Sequence, residues 1–130
     1  YGRGGCRQWY RKETIGMDIR IVETTIALSD LRDVAKEFYD DMVKGAVDIE
    51  NDIAAFGGEY HIDASNVLVE QGSHQGDIWG FNVLLDQPKE SWIEYTSLIN
   101  IRPQAGNRGM EVMDAKVRDR MKKILDALIV

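Results

Sequence analysis

A chain of 130 residues, 44% hydrophobic and 29% charged, has the proportions of one globular domain able to bury a single core without disulfides or metal, not those of a disordered protein. No apolar run approaches the ~20 residues that cross a bilayer, and the single cysteine, Cys6, excludes an internal disulfide framework and points to a reducing cytoplasm. The net charge of −6 is unevenly spread: residues 1–16 hold four basic side chains against one acidic, leaving 12 of the 16 basic and 21 of the 22 acidic residues to an acidic body poorly suited to nucleic acid.

Residues 1–16, YGRGGCRQWYRKETIG, are rich in Gly and Arg and show no apolar period. They read as a disordered or non-native leader, with a single domain over 17–130; a basic nucleic-acid arm built on Trp9 and Tyr10 is the competing reading. From Met17, the alternation of Ile19 and Ile21 with Asp18 and Arg20 predicts a half-buried strand. Ser29 then reads as the cap of a helix whose apolar stripe, Leu31, Val34, Ala35, Phe38 and Met42, carries it to Lys44 and Gly45. Residues 47–50 and 53–56 predict two short strands about an Asn51-Asp52 turn, with helix continuation through Ile49 and Ile53 as the alternative.

Beyond the Gly57-Gly58 break, Asp63 is placed to cap a short helix over 66–70 that Gly72 terminates in a left-handed conformation. Residues 78–85 and 92–101 then predict a hairpin across DQPKES, where Pro88 suits a turn. A turn centred near Pro88 sets Val83 opposite Glu94 and Leu85 opposite Trp92, and a slip of one residue would exchange the two faces. Asp114 caps a last helix with Val117, Met121, Ile124, Leu125 and Leu128 on one stripe, which must dock on the sheet. The order β-α-β-β-α-β-β-α, with local hairpins, predicts an α+β domain: a largely antiparallel sheet with helices packed on it.

The blocks DMVKGAVDIE, GGEYHIDASNVLVEQGS, QGDIWGFN and SLINIRPQAGNRGMEV, with the opening MDIRIVE, resemble an uncharacterised family of small bacterial proteins, a domain of unknown function of about 110 residues. The resemblance covers Met17 to Val130 and implies a compact intracellular domain with a fixed set of polar positions. Where family members often carry Ser after the Asn-Arg pair, this chain has Gly109.

Two groups of residues carry candidate chemistry. Arg102, Asn107 and Arg108 follow the 92–101 strand on a Gly-containing loop. Guanidinium forks suit carboxylate or phosphate, and such a loop can turn backbone N–H groups toward an anion. The structural alternative pairs Arg102 with Glu94 or Glu111 and leaves Asn107 to accommodate a turn. Glu59, His61 and Asp63 alternate, so on an extended segment they project to one side, as contacts for a polar ligand, as a weak metal match, or as an acid-base pair of His61 with Glu59 or Asp63. Here the structural alternative is Asp63 as a helix cap, His61 bonded to a backbone carbonyl and Glu59 solvated. Adjacent Ser73 and His74, with Asp77, lack the nucleophile elbow of a hydrolase. No phosphate-binding loop or dinucleotide fingerprint is present, and no cofactor is expected.

These readings predict a small cytoplasmic domain that binds an anionic or polar small molecule at the end of the 92–101 strand, through Arg102, Asn107, Arg108, His61 and Glu59. A protein-interaction or homodimerisation module is the alternative, because both sheet faces hold more large apolar side chains than three helices easily cover. A small enzyme acting through His61 is the third reading.

Overall fold

The computed structural model describes residues 9–14 and 17–130. Among them, six strands form one sheet in which every neighbouring pair is antiparallel, in the order β1-β2-β4-β3-β5-β6. The strands are β1 (Trp9–Thr14), β2 (Met17–Val22), β3 (Met42–Asp48), β4 (Ile53–Phe56), β5 (Ile78–Leu84) and β6 (Ile93–Glu94); the helices are α1 (Leu28–Ala35), α2 (His61–Glu70) and α3 (Ala115–Leu128). From Met17 onward the order is the one the sequence predicts, an α+β domain. Within the segment read as a leader, Trp9–Thr14 forms an edge strand paired in register with β2, Thr14 facing Met17. The rest of that segment lies outside the described residues.

The period of two along each strand divides the side chains between two cores. Val43 and Val47 of β3, Trp79, Phe81 and Val83 of β5, and Phe56 of β4 face α1 and α3, where Leu31, Val34, Met121, Ile124, Leu125 and Leu128 close the larger cluster. Burying each of the four α3 side chains contributes about 1.5–3 kcal/mol, which is what holds this otherwise strongly charged helix to the sheet. Phe56 and Phe81 meet edge to face at its centre, 5.5 Å between centroids. On the opposite face Ile19, Ile21, Ala46, Ala55 and Ile78 receive Ala64, Val67 and Leu68 of α2. Small side chains at Ala46 and Ala55 let α2 lie close to the sheet.

The first helix departs from the sequence reading. Its N-cap position is Ala27, not Ser29, and it stops at Ala35. Asp40 adopts φ 64° and its N–H donates to Ala35 O at 2.8 Å, so the chain turns back and residues 42–48 become the central strand. The apolar spacing that continued the helical stripe to Met42 was that of a strand whose Val43 and Val47 enter the core. The turn after β3 is fixed by Asp48, fully buried, whose carboxylate accepts from the backbone N–H groups of Glu50 and Asn51, the Asn51 amide and, at 2.6 Å, the Ser73 hydroxyl. Burial by itself would raise the Asp48 pKa, but these hydrogen bonds outweigh it and hold the carboxyl below its ordinary value.

The second predicted hairpin is shorter and shifted by one residue. Val83 faces Ile93 and Asn82 faces Glu94, so pairing ends after two residues of β6. Beyond it Leu98–Asn100 forms a single 3-10 turn in place of a strand. The cause is local: Asn100, fully buried, turns its side chain onto β5, donating to Gly80 O at 3.1 Å and accepting from Gly80 N–H at 2.8 Å. A side-chain amide thus takes the place of the next ladder rung.

Candidate functional site

Arg102 and Asn107, the residues the sequence marks most strongly, are bound into the fold. Their backbones pair across a tight loop, and Asn107 is almost fully buried. Its amide donates to the carbonyls of Asn100, Gly109 and Glu111 at 2.8–3.0 Å and accepts from Met113 N–H at 2.8 Å, which organises the whole 100–113 segment. The Arg102 guanidinium lies 4.5 Å from the centre of the Trp79 ring and donates to the carbonyls of Gly76 and Ile78. Burial lowers its pKa, with Asp77 acting in the opposite direction. Neither Glu94 nor Glu111 is its partner. Arg108 stands exposed.

The second predicted group is also redistributed. Helix α2 begins at His61, earlier than predicted, so residues 59, 61 and 63 do not share an extended segment. Asp63, in the first turn, accepts from Tyr60 N–H at 2.9 Å, half of a capping box. Glu59 is exposed and contributes its carbonyl to the Tyr39 hydroxyl at 2.6 Å. The helix stops before Gly72, which adopts φ 108° as the sequence reading requires. His61 alone of the five predicted contacts lines the mainly apolar cleft beside the start of α2.

That cleft, about 530 Å³, opens between the first turn of α2 and the segment after β6. Its walls are mainly apolar: Ile62 from the helix, then Leu98, Ile99 and Met110 from the loop that Asn100 and Asn107 fasten down. Its polar floor, Lys44, Asn82 and His61, includes two members of a row across the sheet. Lys44, Asn82 and Glu94 are cross-strand neighbours on β3, β5 and β6, pointing toward the α2 face. The Asn82 amide donates to Glu94 Oε1 at 2.8 Å, which leaves its Oδ1 to accept from His61 Nε2–H at 2.7 Å. Burial pushes the His61 pKa below its ordinary value; the Asn82 bond opposes that, and the Lys44 charge adds to it. The imidazole is therefore neutral at pH 7, with the tautomer set by Asn82.

Lys44 is half-buried beside it. Its ammonium lies 5.0 Å from the Tyr39 ring centre and 6.0 Å from that of Tyr60, and it makes no ion pair with any described residue. Sequence reasoning missed it because the helical stripe was run on to Lys44. Read as a strand, VKGAVD sets Lys44 on one face with Ala46 and Asp48, opposite Val43 and Val47, and that was the available signal. Among the described residues no three His, Cys, Asp or Glu side chains are grouped to hold a metal, and no helix is long and apolar enough to cross a membrane.

Fold and geometry together define a small α+β domain with an apolar cleft over a polar sheet row. The chain belongs to the family described as "Protein of unknown function (DUF5674)", which it matches over residues 20–128. No curated protein and no solved structure matches it.

Proposed function

We propose that the domain binds a small, largely apolar molecule in the cleft between α2 and the 96–110 loop. The observation that carries this reading is a cleft of about 530 Å³, within the usual range for organic ligands, with apolar walls and a few convergent polar groups, His61, Asn82 and Lys44, at its floor. The anion or polar ligand site expected at Arg102, Asn107, Arg108, His61 and Glu59 is thereby moved: His61 stays, Lys44 and Asn82 join it, and Arg102 and Asn107 support the wall. Saturable enhancement of fluorescence of the neutral dye Nile red tests it. Leu98→Asp and Ile62→Asp, both at exposed rim positions, should weaken dye binding without lowering Tm. Absence of saturable binding, or wild-type affinity in both variants, overturns the reading.

The rim also favours a second reading, a homodimer. Leu98 is 72% exposed beside Tyr60, Ile62 and Met110, an apolar edge of the kind that marks interfaces. Sedimentation of wild type as a dimer and of Leu98→Asp as a monomer would support it; a wild-type monomer at high micromolar concentration would remove it.

A further inference from the structure

Resting on the cleft-binding reading, we infer that the ligand is an amphipathic monocarboxylate whose carboxylate pairs with Lys44 while its hydrocarbon part lies against Ile62, Leu98 and Ile99. Lys44 projects from the middle of β3 on the α2 face and lines an apolar cleft. A cation so placed gives up hydration, and in most folds a carboxylate compensates. Here the neighbours that compensate are two aromatic rings, Tyr39 and Tyr60, and among the described residues no acid lies within ion-pair distance. The chain as a whole carries a net charge of −6, so acids were available in the sequence to neutralise it. The nearest acid across the sheet row, Glu94, is two strands away and engaged by Asn82.

The number of charges selects the head group. The cleft offers one lysine and one neutral imidazole, whose Nε2–H is spent on Asn82. A phosphate dianion calls for several donors converging on it, as guanidinium forks or clustered backbone N–H groups supply. The arginines that could have done this do not line the cleft: Arg102 is turned onto the carbonyls of Gly76 and Ile78. A single carboxylate needs one cation and leaves no second charge unpaired. The walls then supply affinity in proportion to the methylene groups they cover.

Displacement of Nile red by octanoate, octanol and octylamine separates the parts of this proposal. Wild type should bind octanoate about fivefold more tightly than octanol, the upper effect of one such ion pair, and octylamine most weakly. Lys44→Met should abolish the preference for octanoate over octanol; Lys44→Arg, which keeps the charge, should retain a preference for octanoate. Equal affinity for octanoate and octanol in wild type, or a preference that survives Lys44→Met, overturns the carboxylate assignment while leaving cleft binding intact. Displacement by none of the three overturns the carboxylate assignment, and absence of Nile red binding itself overturns both readings. A cooperative thermal melt serves as the control that Lys44→Met is folded.

Discussion

The side-chain amide of Asn100 exchanges two hydrogen bonds with the backbone of Gly80, standing in for a strand residue along an open stretch of β5. A third bond, from the same amide to Met110 O at 3.1 Å, ties both ends of the 97–110 loop to that point. The approach is close: a Cβ on Gly80 would lie 2.6 Å from Ser97 Cβ and 2.7 Å from Ser97 Oγ. One wall of the cleft therefore exists because one residue has no side chain and another supplies a backbone-like amide.

Asn100→Ala should leave the buried Gly80 N–H and C=O without partners, at a cost of about 1–3 kcal/mol for each group so orphaned. Gly80→Ala should displace Ser97 and the loop with it. Both variants should lower Tm and weaken Nile red binding together. Thermal melts and dye titrations on the same samples check this, and an unchanged dye affinity in both would show that the wall does not depend on this contact.

Arg102→Ala removes two hydrogen bonds to carbonyls and the stack on Trp79, and should destabilise the domain by about 1–3 kcal/mol. Dye and octanoate affinity should stay at wild-type levels, because the guanidinium is outside the cleft. Arg102→Lys should recover little, since a lysine cannot present a planar fork to both carbonyls. Denaturant titration measures the first effect and dye titration the second. Lost binding at unchanged stability would return Arg102 to the role of ligand contact.

Two buried groups set the acid side of the stability profile. For His61 the folded pKa lies below the ordinary 6.5, so above that value neither state is protonated and the group contributes no pH dependence. Below 6.5 the unfolded chain takes up a proton that the folded one resists, so stability falls as pH drops toward the folded value. Asp48 has its folded pKa below 3.8, so its stabilisation is present above 3.8 and is lost as pH falls through the folded value. His61→Gln should flatten the difference in denaturation midpoint between pH 7.5 and 5.5, about one unit either side of the imidazole range, while the loss below 3.8 remains. Identical slopes for wild type and His61→Gln over that range would show that the imidazole is not buried neutral.

Much of the architecture was legible in the residues. Alternation identified β2, the apolar run before the Pro88 turn identified β5, the Asp114 cap and its 3.6-residue stripe identified α3, and Gly72 marked the end of α2, because period, turn chemistry and capping are local properties that a short window of side chains carries. The α+β order followed from them. Other features depend on partners distant in sequence. Whether residues 42–48 extend a helix or form a strand was settled by pairing with β4 and β5, which no spacing within the segment records. The one-residue shift of the β5–β6 register and the replacement of its continuation by Asn100 arise from a contact across 20 residues of chain. The surroundings of the candidate residues depend on distant partners for the same reason. Arg102 and Asn107 have the chemistry of ligand contacts, yet carbonyls brought near by folding satisfied them first. Lys44 looked like a helix-end residue and became a half-buried cation, because β3 carried it beneath an apolar wall where no acid among the described residues comes within ion-pair distance.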